Sequence, residues 1–396
     1  MVEVLLVVGL AVAVFVGFNI GGSSTGVAFG PAVGSQTVSK LGAAGLMSGF
    51  ALLGGWTVGR NVIETMGGEI VSMQFTLGMS VGVLFFVGMA LLISNLFGVP
   101  ASTSMTAVGA IAGLGVATGT LNQDVMFEIV SWWLIAPVLA FWLCAVIGRY
   151  LYPYLDVWFR LEQSEGPLFQ VSRVGSVPYP TVSSNATAKE LFVTVLVVGI
   201  GCYMAFSAGA SNVANAVAPL VGSGAIGESQ GVLLAAGAIG LGAFTIARRT
   251  LDTVGNDLTD LPLLAALIVE VVSASLITFL SFIGIPASLA VSATMCIVGL
   301  GWGRATRTVR ISDAAAVAVR GRGDDEVERP GMSVNALTAE QKEVAKIGEE
   351  DPDTLEASDL FNPSTTARVV GLWILTPSIS AIASYLLFSL VPLSPA

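Results

Sequence analysis

The segment Gly21-Gly22-Ser23-Ser24-Thr25-Gly26-Val27-Ala28-Phe29-Gly30-Pro31-Ala32-Val33-Gly34-Ser35 returns as Gly209-Ala210-Ser211-Asn212-Val213-Ala214-Asn215-Ala216-Val217-Ala218-Pro219-Leu220-Val221-Gly222-Ser223, an offset of 188 (211 − 23). In both copies small, polar and Gly/Pro residues interrupt apolar sequence. Each stretch is short and Gly-rich for a full membrane span and reads as a re-entrant or broken-helix piece. Irregular backbone is tolerated at membrane depth only where it is buried in protein or lines a wet cavity. Broken apolar segments at matching places in two halves point to the binding site of a secondary transporter.

The repeat extends well beyond this motif. Arg60-Asn61-Val62-Ile63-Glu64-Thr65-Met66-Gly67 matches Arg248-Arg249-Thr250-Leu251-Asp252-Thr253-Val254-Gly255, again 188 apart. Gly98-Val99-Pro100-Ala101-Ser102 matches Gly284-Ile285-Pro286-Ala287-Ser288 at an offset of 186, and Gly113-Leu114-Gly115 matches Gly299-Leu300-Gly301. Trp133-Leu134-Ile135-Ala136-Pro137 matches Trp373-Ile374-Leu375-Thr376-Pro377 at 240, so the second half carries an insertion of 54 residues (240 − 186).

Composition sets the solvent. The 396 residues are 54% hydrophobic and 11% charged, against about 25% charged in ordinary soluble domains. A span needs roughly 20 mostly apolar residues. The expected architecture is all-α and polytopic, with about ten spans: Val2–Phe18, Leu41–Val58, Phe75–Phe97, Ala101–Thr118, Phe127–Tyr150, Leu191–Ala208, Gln230–Ile246, Leu261–Ile283, Ala287–Gly301 and Val369–Leu390. Val2–Phe18 lacks a basic n-region and reads as a retained span. An odd number of spans per half makes the second repeat inverted. The divisions are 1–152 (repeat one), 153–189 (polar linker), 190–302 (first part of repeat two), 303–365 (acidic loop) and 366–396 (closing span). Arg304, Arg307 and Arg310 put the loop side in the cytoplasm, by the positive-inside tendency.

The net charge is −10, and most of the 17 basic residues are Arg. Acid surplus with few Lys resembles proteins of salt-loving prokaryotes, because acidic loops keep protein soluble when salt screens charge; one acidic loop also explains much of it. The chain has no His, which removes the commonest metal ligand and neutral-pH proton shuttle. Cys144, Cys202 and Cys296 lie in apolar runs and read as core residues. No nucleotide-binding loop, no nucleophile with a base and no metal cluster is present, so no enzyme, cofactor or nucleic-acid partner is expected.

Ser23, Ser24, Thr25, Ser211, Asn212 and Asn215 sit where apolar runs stop. Broken helices expose N–H groups, and their dipoles favour an anion there. Hydroxyls and amides add neutral hydrogen bonds that hold an oxyanion without trapping it. The plainer account is close helix packing on small residues; two copies at one offset favour binding. Ser102, Thr103 and Ser104 after Pro100, and Ser288 after Pro286, read as further oxyanion ligands or as ordinary N-caps. Leu289 and Ala290 replace Thr103 and Ser104 in the second copy. Glu270 stands alone in an apolar span, where a charge costs about 2.5–3.5 kcal/mol on insertion scales. It reads as facing a cavity, a cation or a proton pathway. Glu64 and Asp252 read as local ion-pair partners of Arg60 and Arg248.

These residues resemble the inorganic phosphate transporter (PiT) family. That family carries G-A-N-D-x-A-N-A-x-G once per inverted repeat, each followed by G-x-P-x-S-T-T-H. Gly209–Leu220 is similar to the second signature and Gly21–Ser35 to the first; Pro100–Met105 and Pro286–Val291 occupy the Ser-Thr-Thr-His positions. Glu270 stands 16 residues before Pro286 (286 − 270), the spacing of a family glutamate. The departures are Ser23-Ser24 and Ser211-Asn212 for the two Asn-Asp pairs, Val27 for an Asn, and Met105 and Val291 for the two His. Both motif carboxylates are absent.

The resemblance implies a plasma-membrane transporter working by alternating access on a tetrahedral oxyanion, phosphate first and sulfate second. Ser23, Ser24, Ser211, Asn212 and Asn215 are expected to face Ser102, Thr103, Ser104 and Ser288. Coupling to Na+ or H+ falls to Glu270 with Asn212. Homo-oligomerisation is implied by the resemblance alone. The reading from another class is a membrane sensor or assembly partner that binds a protein through the 303–365 loop.

Overall fold

A computed structural model describes residues 2–96, 102–159, 169–174, 177–182, 187–247, 262–308 and 363–391. The helices of the first half are α1 (Val2–Gly34), α2 (Lys40–Thr57), α3 (Gly59–Glu64), α4 (Leu77–Leu96), α5 (Thr103–Thr118), α6 (Gln123–Val146) and α7 (Tyr152–Phe159). π-Helical turns at Thr65–Glu69 and Ile147–Leu151 follow α3 and α6. The linker contributes an antiparallel hairpin, β1 (Phe169–Val174) on β2 (Val177–Val182). The second half holds α8 (Ala188–Gly222), α9 (Glu228–Thr245), α10 (Leu263–Phe282), α11 (Leu289–Ala305) and α12 (Pro363–Leu390). Among the described residues the fold is helical apart from the hairpin. Most of the acidic loop, 309–362 with Arg310, and the segment 248–261, with Arg248 and Asp252, lie outside the described residues.

Local signals start several helices. Thr187 and Glu190 form a reciprocal capping box on α8, with the Glu190 N–H donating to Thr187 Oγ1 at 3.2 Å and the Thr187 N–H donating to Glu190 Oε2 at 2.7 Å. Ser39 caps α2 and Asn122 caps α6.

Among the described residues, six helices are long and apolar enough to cross a membrane: Glu3–Gly34, Leu77–Leu96, Gln123–Phe159, Ala188–Gly222, Leu263–Phe282 and Trp373–Leu390. Lys40–Thr57 with Gly59–Glu69, bent by 66°, makes a seventh if taken as one span. That differs from the ten spans expected. Helices α5 and α11, with 16 and 17 residues, reach about 24–26 Å at 1.5 Å per residue, short of the roughly 30 Å hydrocarbon core. Exposed apolar side chains such as Phe127, Leu134 and Ile374 give the bundle a surface suited to lipid. The protein is a multi-pass membrane protein.

The largest correction concerns the repeated motif. Neither copy is a break or a re-entrant piece: 21–34 is the last part of the 33-residue α1, and 209–222 the last part of the 35-residue α8. Pro31 and Pro219 sit inside these helices without ending them. The glycines serve contact instead. A Cβ on Gly21 would collide with the Ile239 carbonyl on α9, and one on Gly209 with the Ala51 carbonyl on α2. These contacts exchange under the sequence offset: 21 + 188 = 209 and 239 − 188 = 51. A second pair behaves likewise. Gly113 of α5 lies against the Ala381 carbonyl of α12, and Gly299 of α11 against the Phe141 carbonyl of α6, with 299 − 113 = 186 and 381 − 141 = 240. Each half therefore packs its first element on the other half's second, and its fourth on the other's last.

Arg60 also departs from expectation. Its guanidinium meets Glu228 at 3.3 Å and lies over the Trp56 ring at 4.5 Å, so its ion pair ties the halves together instead of staying local to Glu64.

Candidate functional site

A cavity enclosing about 390 Å³, part of it open to solvent, is lined by Ser23, Ser24, Val27, Thr103, Ser104, Asn212, Ser288, Leu289 and Ala290. Four elements meet there: the motif-bearing parts of α1 and α8 and the N-termini of α5 and α11. Six of the expected site residues are brought together. Among the described residues the lining holds no charged side chain.

The polar wall is built from α5 and α8. Buried Asn215 donates its amide to Ser104 Oγ at 3.1 Å and to Asn212 Oδ1 at 3.1 Å. Its own Oδ1 is buried without a partner among the described residues. Because Ser104 and Asn212 both accept from Asn215, the Ser104 hydroxyl hydrogen and the Asn212 amide N–H₂ are left to face the cavity. The opposite flip of Asn215 would strand an N–H₂ group in place of an oxygen, and orphaned donors are the rarer case in folded proteins.

The first-turn N–H groups of a helix have no acceptor in their own helix, and the dipole there is positive. Thr103 and Ser104 open α5, and Leu289 and Ala290 open α11. Ser288 caps α11, accepting from the Val291 N–H at 3.3 Å, and its own hydrogen remains to donate. Ser102 stands at the start of α5 without capping it, and its buried Oγ has no partner among the described residues. Trp133 Nε1 donates to the Pro286 carbonyl at 2.8 Å and so holds the turn that delivers Ser288.

Ser23 Oγ donates back to Ile20 O at 3.1 Å and Asn19 O at 3.3 Å, which leaves its lone pairs outward. Asn19 is braced in turn by Asn95, whose Nδ2 lies 3.1 Å from Asn19 Oδ1. The sequence reading passed over this pair; two Asn within apolar helices were the available signal.

Five expected residues do not line the cavity. Thr25 is fully buried and donates to Gly21 O at 2.7 Å. Ser211, also fully buried, turns back to Ala208 O at 3.4 Å. Ser102 sits one residue outside the lining. Asn215 lies one layer behind it and aligns Asn212 and Ser104. Glu270, on α10, is 4% exposed. Its Oε1 has no hydrogen-bond partner among the described residues, and it stands apart from the lining.

Residues 20–384 match the family described as "Phosphate transporter family" (PHO4). The "Sulfate permease CysP" of Bacillus subtilis (strain 168) is 30% identical, over 73% of this chain and 75% of its own length. A Helicobacter pylori (strain J99) protein named "Putative phosphate permease" is 23% identical, over 97% of this chain and 89% of its own. Among solved structures, "The sodium-dependent phosphate transporter" superposes with a TM-score of 0.67 at 17% identity, covering 98% of this chain and 99% of that one; that likeness shows a shared fold. With the family matched across nearly all of its described helices, the chain is a member of the phosphate transporter family.

Proposed function

We propose that the protein is a secondary transporter that moves a tetrahedral inorganic oxyanion, phosphate or sulfate, across the plasma membrane by alternating access around this cavity. The observation that carries the reading is the convergence of four repeat-related segments on one cavity. Its polar lining is neutral hydroxyl, amide and helix N-terminal N–H. Such groups stabilise an anion without the deep trap a fixed cation would make. The named relatives supply the two candidate anions.

The exchanged contacts of Gly21 with Gly209 and of Gly113 with Gly299 support two repeats related by a pseudo-two-fold axis, and we take the second to be inverted. One half rocking against the other about a midplane site is then the route to alternating access. Glu270 is the coupling group in this reading. A buried carboxyl with an unpartnered oxygen, on a helix packed against α8, suits Na+ or H+ exchange.

The test is uptake of labelled phosphate and sulfate into proteoliposomes, with and without Na+ and proton gradients. Uptake of at least one anion is expected, and Glu270→Gln should abolish its dependence on the gradient while leaving anion binding in place. Folded protein that moves and binds neither anion would overturn the reading in favour of a sensor.

A further inference from the structure

At neutral pH inorganic phosphate still carries at least one O–H, whereas sulfate carries none. Both are tetrahedral and similar in size, so shape separates them poorly. A bound P–OH needs an acceptor; sulfate needs donors at all four oxygens. A site that hydrogen-bonds its ligand closely rejects an analogue that leaves a buried polar group facing the wrong partner.

Every polar side chain on the described lining is a hydroxyl or an amide that can donate, and none is an acceptor-only group such as a carboxylate. The Asn215 amide sets the polarity of the wall, because Ser104 Oγ and Asn212 Oδ1 each accept one of its N–H groups and turn the Ser104 hydrogen and the Asn212 amide N–H₂ toward other partners. Ser288 Oγ accepts the Val291 N–H, which leaves its hydrogen to donate. The first turns of α5 and α11 add backbone N–H groups. No carboxylate lines the cavity, and the chain has no His to serve as a neutral acceptor. Among the lining hydroxyls of Ser23, Ser24, Thr103, Ser104 and Ser288, Ser23 leans furthest toward accepting. Its hydrogen goes to helix carbonyls, so it presents a lone pair, but a hydroxyl rotor turns to donate when the ligand asks for it.

Resting on the transport reading above, we infer that this site selects proton-free oxyanions, sulfate and its analogue selenate, over the protonated pair phosphate and arsenate. This reverses the order implied by the sequence resemblance. One donor facing a P–OH is enough for a preference of about ten- to hundredfold.

The experiment is competition against labelled sulfate in proteoliposomes of the full chain, with thermal-shift binding of the same four anions to purified protein. Selenate should compete about as well as sulfate. Phosphate and arsenate should compete at least tenfold less, so that the grouping follows protonation and not the period of the central atom. Asn212→Asp places an acceptor and a negative charge in the wall; it should weaken sulfate by at least tenfold and phosphate by less. Ser23→Ala removes the hydroxyl that leans furthest toward accepting and should widen the gap further. Phosphate and arsenate competing as well as selenate, or better, would overturn the inference while leaving oxyanion transport intact. No binding or flux of any of the four would instead overturn the transport reading. Should Asn212→Asp fail to fold, the wild-type competition series decides by itself.

Discussion

Helices α5 and α11 both begin at the cavity, yet α5 arrives with Ser102-Thr103-Ser104 and α11 with Ser288-Leu289-Ala290. On α5 the cap position makes no side-chain bond to its own helix, and Ser104 is wired to Asn215 of α8. On α11 the one hydroxyl caps its own helix, where Ser288 accepts the Val291 N–H and keeps a hydrogen to donate, and the next two side chains are apolar. Duplicated helix starts have thus diverged into a hydrogen-bonding wall and a mainly structural one. The backbone dipole is kept at both, while side-chain recognition is concentrated at one.

Substitutions on the two walls should therefore separate. Asn215→Ala removes the amide that orients both Ser104 and Asn212; oxyanion affinity should fall about a hundredfold, since a buried network loses more than one bond. Binding calorimetry on monodisperse protein checks this. Ser104→Ala removes one donor and should lower affinity about tenfold, read by the same titration. Ser288→Ala should behave differently. Affinity should stay within about threefold, while loss of the cap destabilises by about 1 kcal/mol, seen as a melting temperature lower by a few degrees. Equal affinity losses at Ser104 and Ser288 would break the comparison.

The spacing of the repeats shows in advance which segments converge, and Ser23, Ser24, Thr103, Ser104, Asn212 and Ser288 do meet. The surplus residues have one physical cause. Reading 21–35 and 209–223 as breaks lets consecutive side chains share a cavity, but in a continuous helix each residue turns 100° from the last. Thr25 and Ser211 are therefore carried off the lining face and bond to their own helices. Asn215, three residues beyond Asn212, stays on the same face but one layer deeper, which spacing alone could not reveal. The continuity of α1 and α8 was hidden because Gly and Pro punctuate loops far more often than they pack helix to helix. The collisions a Cβ would make at Gly21 and Gly209 become visible only once the partner helix is in place. The asymmetry of the two walls, by contrast, was written in Leu289 and Ala290.

The central claim is that an oxyanion sits between the α5 and α11 N-termini against Ser104 and Asn212. An experimental structure with selenate, located by the anomalous signal of selenium, tests it most directly. A single peak within hydrogen-bonding reach of Ser104 Oγ and Asn212 Nδ2 is the predicted result. Selenium found elsewhere in the protein, with this cavity closed by Val27 and Leu289, would contradict it.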